Sequence, residues 1–153
     1  MDSFKPILLM VHVAVAAIAF GVSLAPSGTL KRARALGWDA FKAAATDFKR
    51  RDGMAAIAGF LILITGLGLI LMAPGGFRGV GPAYHAALGL VLIMNVIGGF
   101  VTRPTASKLV AAAEARDDAA ATAGIKRAAM GAGILQLLWT VTLVLMFLHR
   151  FGQ

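Results

Sequence analysis

The sequence contains no cysteine, which excludes disulfides, thiolate metal sites, iron–sulfur clusters and a cysteine nucleophile. Acidic residues are also few, with 7 Asp and Glu against 15 Lys and Arg, and the formal net charge is +8. Charged residues make up 14% of the chain, whereas hydrophobic residues make up 59%. A soluble domain of 153 residues is less apolar than this. The composition therefore indicates a membrane protein with basic loops beside anionic lipid headgroups, and no nucleic-acid partner.

Four apolar segments without Lys, Arg, Asp or Glu are each close to the roughly 20 residues that a helix needs to cross the hydrocarbon core. They cover residues 6–24, 54–73, 82–101 and 128–148, and Arg103 and Pro104 are predicted to mark the end of the third. Backbone groups in lipid must hydrogen-bond internally, so helices are expected. The sequence predicts an all-α, four-helix transmembrane bundle that occupies residues 1–153 as a single domain.

The distribution of Lys and Arg predicts the orientation of the bundle, because cytoplasmic loops carry an excess of both. The segment 25–53 holds seven and the segment 102–127 holds five, which leaves only Lys5, Arg78 and Arg150 elsewhere. Both long connections are therefore expected in the cytoplasm. The N-terminus and the C-terminus are expected on the outer side.

The first of these basic segments contains a predicted amphipathic helix. Trp38, Phe41, Ala45 and Phe48 recur at spacings of three and four, and Lys and Arg occupy the other faces. This pattern is typical of a helix that lies in the inner headgroup layer with its apolar face in lipid. The alternative is that the same face docks against a soluble partner.

Two histidines are the candidate cofactor ligands. His12 lies about six residues inside the outer end of the first span, and His85 lies about three residues inside the outer end of the third. The two spans run in the same direction, so the depths of the histidines differ by only roughly 5 Å at 1.5 Å per residue. Ala16 and Gly89 follow them by four residues and leave room for a flat macrocycle. The arrangement predicts axial ligation of a b-type haem, or a metal ion, by His12 and His85.

Other interpretations of the same residues remain open. Small residues also let membrane helices pack closely, and a histidine near an interface can bond a carbonyl or water; His149, at the end of the fourth span, is expected to be interfacial. Three methionines near the outer ends of their spans make copper an alternative cofactor: Met10, Met72 and Met146. No charged residue lies in the middle of a span, which argues against a transporter, and Asn95 and Gln136 are expected to form interhelical hydrogen bonds.

Several segments resemble those of small four-span bacterial membrane proteins. They are VHVAVAAIAFGVSL, RRDGMAAIAGFLILITGLGLIL, YHAALGLVLI and TRPTASKLV. The pattern resembles proteins related to the copper-resistance D family, uncharacterised predicted integral membrane proteins, and the membrane protoporphyrinogen oxidase family. The last resemblance implies a haem-binding histidine at His12 and matches His85 to the histidine of a His-x-Lys element, with Ala87 at the lysine position. It implies a multi-pass protein of the bacterial inner (plasma) membrane.

The favoured hypothesis is a haem-binding membrane redox protein that transfers electrons between the quinone layer and a partner at the outer face. One alternative is a cofactor-free accessory or assembly subunit of a larger membrane complex or homo-oligomer. Another is a copper-handling membrane protein.

Overall fold

The computed structural model describes the backbone of residues 4–23 and 26–151, with side chains for residues 4–22 and 27–147. Six α-helices and two short turns account for nearly all of it, and no strand occurs among the described residues. The helices are α1 (Phe4–Ser23), α2 (Pro26–Leu36), α3 (Trp38–Leu71), α4 (Pro82–Ile97), α5 (Arg103–Ala115) and α6 (Asp118–Phe151). A 3₁₀ turn at Gly76–Arg78 precedes α4, and a π-helical turn at Gly98–Thr102 joins α4 to α5.

Four helical segments, beginning at Phe4, Trp38, Pro82 and Asp118, are long and apolar enough to cross a membrane. The predicted number of spans and the all-helical class are confirmed. In the bundle, α1 and α4 each pack against both α3 and α6. The helices α1 and α4 therefore stand at diagonal corners. We call the end of the bundle that carries α2 and α5 the basic end, and the end that carries the 3₁₀ turn the turn end.

The helices continue past the predicted spans at the basic end and form a second core there. The membrane core is built from six buried residues: Ala19, Ala58, Ile62, Val91, Met94 and Trp139. The basic-end core combines Leu30, Phe41 and Leu109 with alanines of α3, α5 and α6. The described part of the chain thus has two hydrophobic cores, and only α3 and α6 contribute buried residues to both.

The aromatic face predicted in the first basic segment lies in this basic-end core. Phe41 and Ala45 are 0% exposed, and Trp38 and Phe48 pack around them. The residues do not form a separate helix in a loop, because α3 runs without a break from Trp38 to Leu71. The expected partner of the face, lipid or a soluble protein, is replaced by α2, α5 and α6 of the same chain. The alanines of α5 and α6 supply a flat surface against which the aromatic rings pack.

The helical backbone does not end at Arg103 and Pro104, the residues predicted to mark the end of the third span, but continues to Ala115. Pro104 has no N–H to donate to the preceding turn, and its ring crowds the carbonyl four residues earlier. The π-helical turn at Gly98–Thr102 widens the backbone immediately before this proline, and the chain continues as α5. The turn places Thr102 against α3, where its hydroxyl donates to Asp52 Oδ1 at 2.5 Å.

Candidate functional site

A cavity of about 820 Å³ lies between the helices at the turn end of the bundle. All four membrane-spanning segments and the loop at residues 79–81 contribute to its wall. The polar and sulfur-containing side chains that line it are Lys5, His12, Tyr84 and Met146, and the rest of the lining is apolar or glycine. The cavity has the character of a site for a mostly apolar ligand that is oriented by a few polar groups.

His12 is buried in this wall, with 8% of its surface exposed, and a threonine on α3 holds its ring. Its Nδ1 atom lies 2.8 Å from Oγ1 of Thr65. The same Oγ1 lies 2.7 Å from the carbonyl oxygen of Leu61, and two oxygens at this distance need a hydrogen between them. Only the threonine hydroxyl can supply that hydrogen, so Oγ1 accepts from His12 and Nδ1 carries the proton. In the neutral imidazole, Nε2 is then left with its lone pair.

Glycine allows the close approach of α1 to α3 beside this ring. A Cβ atom added at Gly66 would lie 3.1 Å from Cε1 of His12 and 3.7 Å from its Nδ1. The first distance is tighter than ordinary van der Waals contact. Gly66, one residue after Thr65, therefore provides the space in which the hydrogen-bonded ring lies.

The structure does not place His85 at the cavity. The residues of α4 that line it are Tyr84, Ala87, Leu88 and Val91, which form one helical face. His85 is exposed on a different face, which continues through Leu92 and Val96, each at least 50% exposed. The ring of His85 lies 6.1 Å from that of Phe77, centroid to centroid, at the turn end. Tyr84, one residue earlier in the sequence, occupies the cavity-lining position opposite α1.

The two small residues predicted to border a macrocycle also lie away from the cavity lining. Ala16 packs against the membrane core. A Cβ atom added at Gly89 would meet nothing within 4 Å. The residue that does provide space next to a histidine is Gly66, which the sequence does not distinguish from the other glycines of the second span.

The methionines and histidines do not converge on one metal site in the described part of the chain. Met146 lines the cavity with His12, whereas Met10 is 72% exposed and Met72 lies outside the lining. No group of three or more His, Asp or Glu side chains suited to a metal ion occurs among the described residues. The side chain of His149 lies outside the described residues.

Two polar residues of the spans behave differently from each other. Asn95 Nδ2 donates to Val91 O of its own helix at 2.8 Å and approaches Gly59 O of α3 at 3.5 Å. Gln136 Oε1 is buried without a hydrogen-bond partner among the described residues. The interhelical bond expected for Asn95 is thus long, and none is present at this oxygen of Gln136.

Comparison of the chain with protein-family models, with curated proteins and with solved structures finds no match, so the geometry of the cavity carries the functional argument.

Proposed function

We propose that the protein binds a b-type haem in the turn-end cavity, with His12 as an axial ligand, and that it serves electron transfer in a membrane. The observation that carries the proposal is the bond between His12 and Thr65, which fixes the tautomer and leaves Nε2 with a free lone pair. Histidines that bind metals characteristically donate their other ring N–H to a neighbouring acceptor. Thr65 fulfils that role here.

The cavity supports this choice of ligand in its size and lining. About 820 Å³ falls within the roughly 300–1,000 Å³ of pockets that hold cofactors. The apolar wall suits a porphyrin ring, and Lys5 at the start of α1 offers a cation to the carboxylates that a haem carries. Haem supplies one-electron redox chemistry, whose potential depends on the axial ligands and the burial of the iron.

The second residue that would hold the haem iron differs from the one predicted from the sequence. His85 lies on the exposed face of α4, so we assign it no role in this cavity. Tyr84 and Met146 line the cavity together with His12, and both residue types serve as haem ligands in other proteins. The haem iron would therefore be held by His12 alone, by His12 and Tyr84, or by His12 and Met146.

We further propose the bacterial inner membrane as the location, with the turn end facing outward. Twelve of the 15 Lys and Arg lie in the two segments that form the basic end, which supports a cytoplasmic position for that end. The cavity then lies in the outer half of the bilayer. A quinol in the bilayer and an electron-transfer partner at the outer face are the expected redox partners.

Absorption spectroscopy of the purified protein with added haem tests the proposal. Saturable binding with a shifted Soret band and distinct reduced bands is expected for wild-type protein. His12→Ala should abolish these features while preserving the elution volume and the thermal transition. His85→Ala is the matched control and should bind as wild type does. Absence of stoichiometric binding, or equal loss in both variants, would contradict the assignment.

A further inference from the structure

Two smaller cavities continue the line of the turn-end cavity toward the basic end. One, of about 130 Å³, shares Val91 with the turn-end cavity. The other, of about 200 Å³, lies next to it and reaches the basic-end core. These two share four lining residues: Asp52, Ala55, Thr102 and Leu135. We call the two together the basic-end passage.

One face of α3 leaves space for the passage because most of its side chains there are small. Asp52, Ala55, Ala56 and Gly59 line it, and all except Asp52 have small side chains. A Cβ atom added at Gly59 would lie 2.6 Å from Oδ1 of Asn95, so only glycine leaves space for that amide. Each cavity exceeds the roughly 30 Å³ that a water molecule occupies in the liquid, and polar atoms line both.

The passage is polar at the basic end and apolar beyond Asn95. Its side nearest the turn end is lined by Val91, Met94 and Trp139. This layer separates the polar part of the passage from the His12 cavity. The passage therefore resembles a half-channel that begins at the basic end and stops in the middle of the bundle.

Asp52 is the only carboxylate among the described residues that lines both cavities, and it does not belong to the ion pair nearby. Asp47 also lines the larger cavity, but its Oδ2 pairs with Nε of Arg51 at 2.7 Å. Arg103 approaches from α5 and lines the smaller cavity. Among the described side chains, α1, α2 and α6 contribute no charged group to the passage, and Thr29 is the polar contribution of α2. No ion pair within 4.0 Å joins Asp52 to another described residue.

Thr102 gives Asp52 two hydrogen-bonding states. The hydroxyl of Thr102 has one hydrogen and two acceptors within reach: Asp52 Oδ1 at 2.5 Å and Gly98 O at 2.9 Å. With the carboxylate ionised, Thr102 donates to Asp52, and Gly98 O keeps the backbone N–H of Arg103 as its donor. After protonation, the carboxylic acid donates to Oγ1 and the threonine hydrogen turns to Gly98 O. The π-helical turn supplies that second acceptor, so both states are satisfied without moving a helix.

We propose that the basic-end passage is a water-filled entry path for protons, with Asp52 as the group that takes up and releases the proton. A hydronium ion at the basic end gives its proton to the Asp52 carboxylate and becomes water, and the reverse step returns the carboxylate. This inference concerns a different cavity and does not depend on haem binding.

Cysteine accessibility tests for water in the passage, and the absence of native cysteine removes any background. The test variant is Ala55→Cys, because Ala55 lines both cavities. The control is Ile57→Cys, because Ile57 lies on the same helix and is 66% exposed on the apolar surface. Both variants are placed in vesicles and treated with 2-aminoethyl methanethiosulfonate on both sides, and modification is followed by mass spectrometry. Because the reagent needs a hydrated thiolate, the Ala55→Cys variant should react at least about tenfold faster. Equal, slow rates would show a dry passage and overturn the proposal.

Infrared spectroscopy tests the role of Asp52 in the haem-free protein. The difference spectrum between low and high pH should contain a carboxylic C=O band that shifts in D₂O and that Asp52→Asn removes. Thr102→Val should retain this band at a different frequency, because the hydrogen-bonded partner is lost. Asp118→Asn, at a side chain that is 72% exposed, is the control and should leave the band in place. A difference spectrum unchanged by Asp52→Asn would overturn the assignment, whatever the outcome of haem binding.

Discussion

Oγ1 of Thr65 lies 2.8 Å from Nδ1 of His12 and 2.7 Å from the carbonyl oxygen of Leu61. One hydroxyl therefore links a ring on α1 to the backbone of α3 and determines which ring nitrogen carries the proton. The ring nitrogen that His12 can offer to a ligand in the cavity therefore depends on this link.

The first prediction concerns that link. Thr65→Val keeps the shape of the side chain but removes the acceptor of the Nδ1–H, so the ring loses both its orientation and its preferred tautomer. Haem affinity should fall by about 10–100-fold, the usual effect of losing such an outer-shell partner. Titration with haem, followed by absorbance, measures the change. Thr140→Val is the control, because the Thr140 hydroxyl bonds only Gln136 O on an exposed part of α6; equal losses in the two variants would count against the link.

The second prediction concerns the space beside the ring. In Gly66→Ala the new methyl group would begin 3.1 Å from Cε1 of His12, so the ring has to move away from its bond to Thr65. Overpacking of this kind costs about 1–3 kcal/mol, and haem binding should weaken by about tenfold or more. Gly53→Ala lies on the same helix with nothing within 4 Å of its added Cβ, and should bind haem as wild type does. Unaltered binding by Gly66→Ala would mean that the ring is free to move.

The third prediction distinguishes a protein core from a lipid-facing surface at the basic end. Phe41 is 0% exposed, and its removal leaves a cavity among α2, α3, α5 and α6. Phe41→Ala should lower the free energy of unfolding by about 3–5 kcal/mol. Leu36→Ala, at a residue that is 81% exposed, should change it little. The measurement is chemical unfolding in detergent, followed by circular dichroism; a Phe41→Ala protein as stable as wild type would restore the headgroup-layer interpretation.

The fourth prediction uses two glycines of α6. A Cβ atom added at Gly124 would lie 2.6 Å from Cδ2 of the fully buried Leu109, whereas one added at Gly133 would meet nothing within 4 Å. Gly124→Ala should therefore destabilise the protein by about 1–3 kcal/mol, despite the better helix propensity of alanine. Gly133→Ala should be neutral or slightly stabilising. Thermal unfolding of the two variants decides the matter, since a similar midpoint for both would remove the case for tight α5–α6 packing.

The fifth prediction concerns orientation. A reporter that is active only outside the cytoplasm, fused after Gln153, should be active, because the basic end is expected in the cytoplasm. A second fusion placed at Asp117, between α5 and α6, should be inactive. The reverse pair of results would put the His12 cavity in the inner half of the bilayer.

The sequence predicts the membrane-spanning part of the fold well because the physical signal there is strong. Four uncharged apolar segments of the right length leave little choice, and each corresponds to a long helix. The sequence does not predict the basic-end core, because most of the residues of α5 and α6 that pack in it with Phe41 are alanines, spread over residues 112–128 in an outwardly polar sequence. Alanine has no distinctive pattern of burial, so the sequence predicts lipid or a soluble partner against the aromatic face.

Of the two histidines that the sequence predicts as ligands, His12 lines the cavity and His85 does not, and the reason is physical. On α4, Tyr84 and His85 are neighbours in a helix whose other residues are apolar on nearly every side. Hydrophobicity cannot then tell the face toward the cavity from the face toward lipid. The sequence indicates His12 through its depth, the small residue Ala16 and a family resemblance, whereas its bond to Thr65, 53 residues away in the sequence, arises only when α1 packs on α3.

The unbroken helix α3 joins the two ends of the protein mechanically. Its 34 residues span about 50 Å at 1.5 Å per residue, with Phe41 near one end and Gly66 near the other. If α3 tilted about its middle as a rigid rod, a tilt of about 5° would displace each end by about 2 Å. A force on the basic-end core that tilted α3 in this way, such as one from a docking protein or from a change in lateral membrane pressure, would therefore also move the wall beside His12. The distance between the two ends does not isolate them from each other.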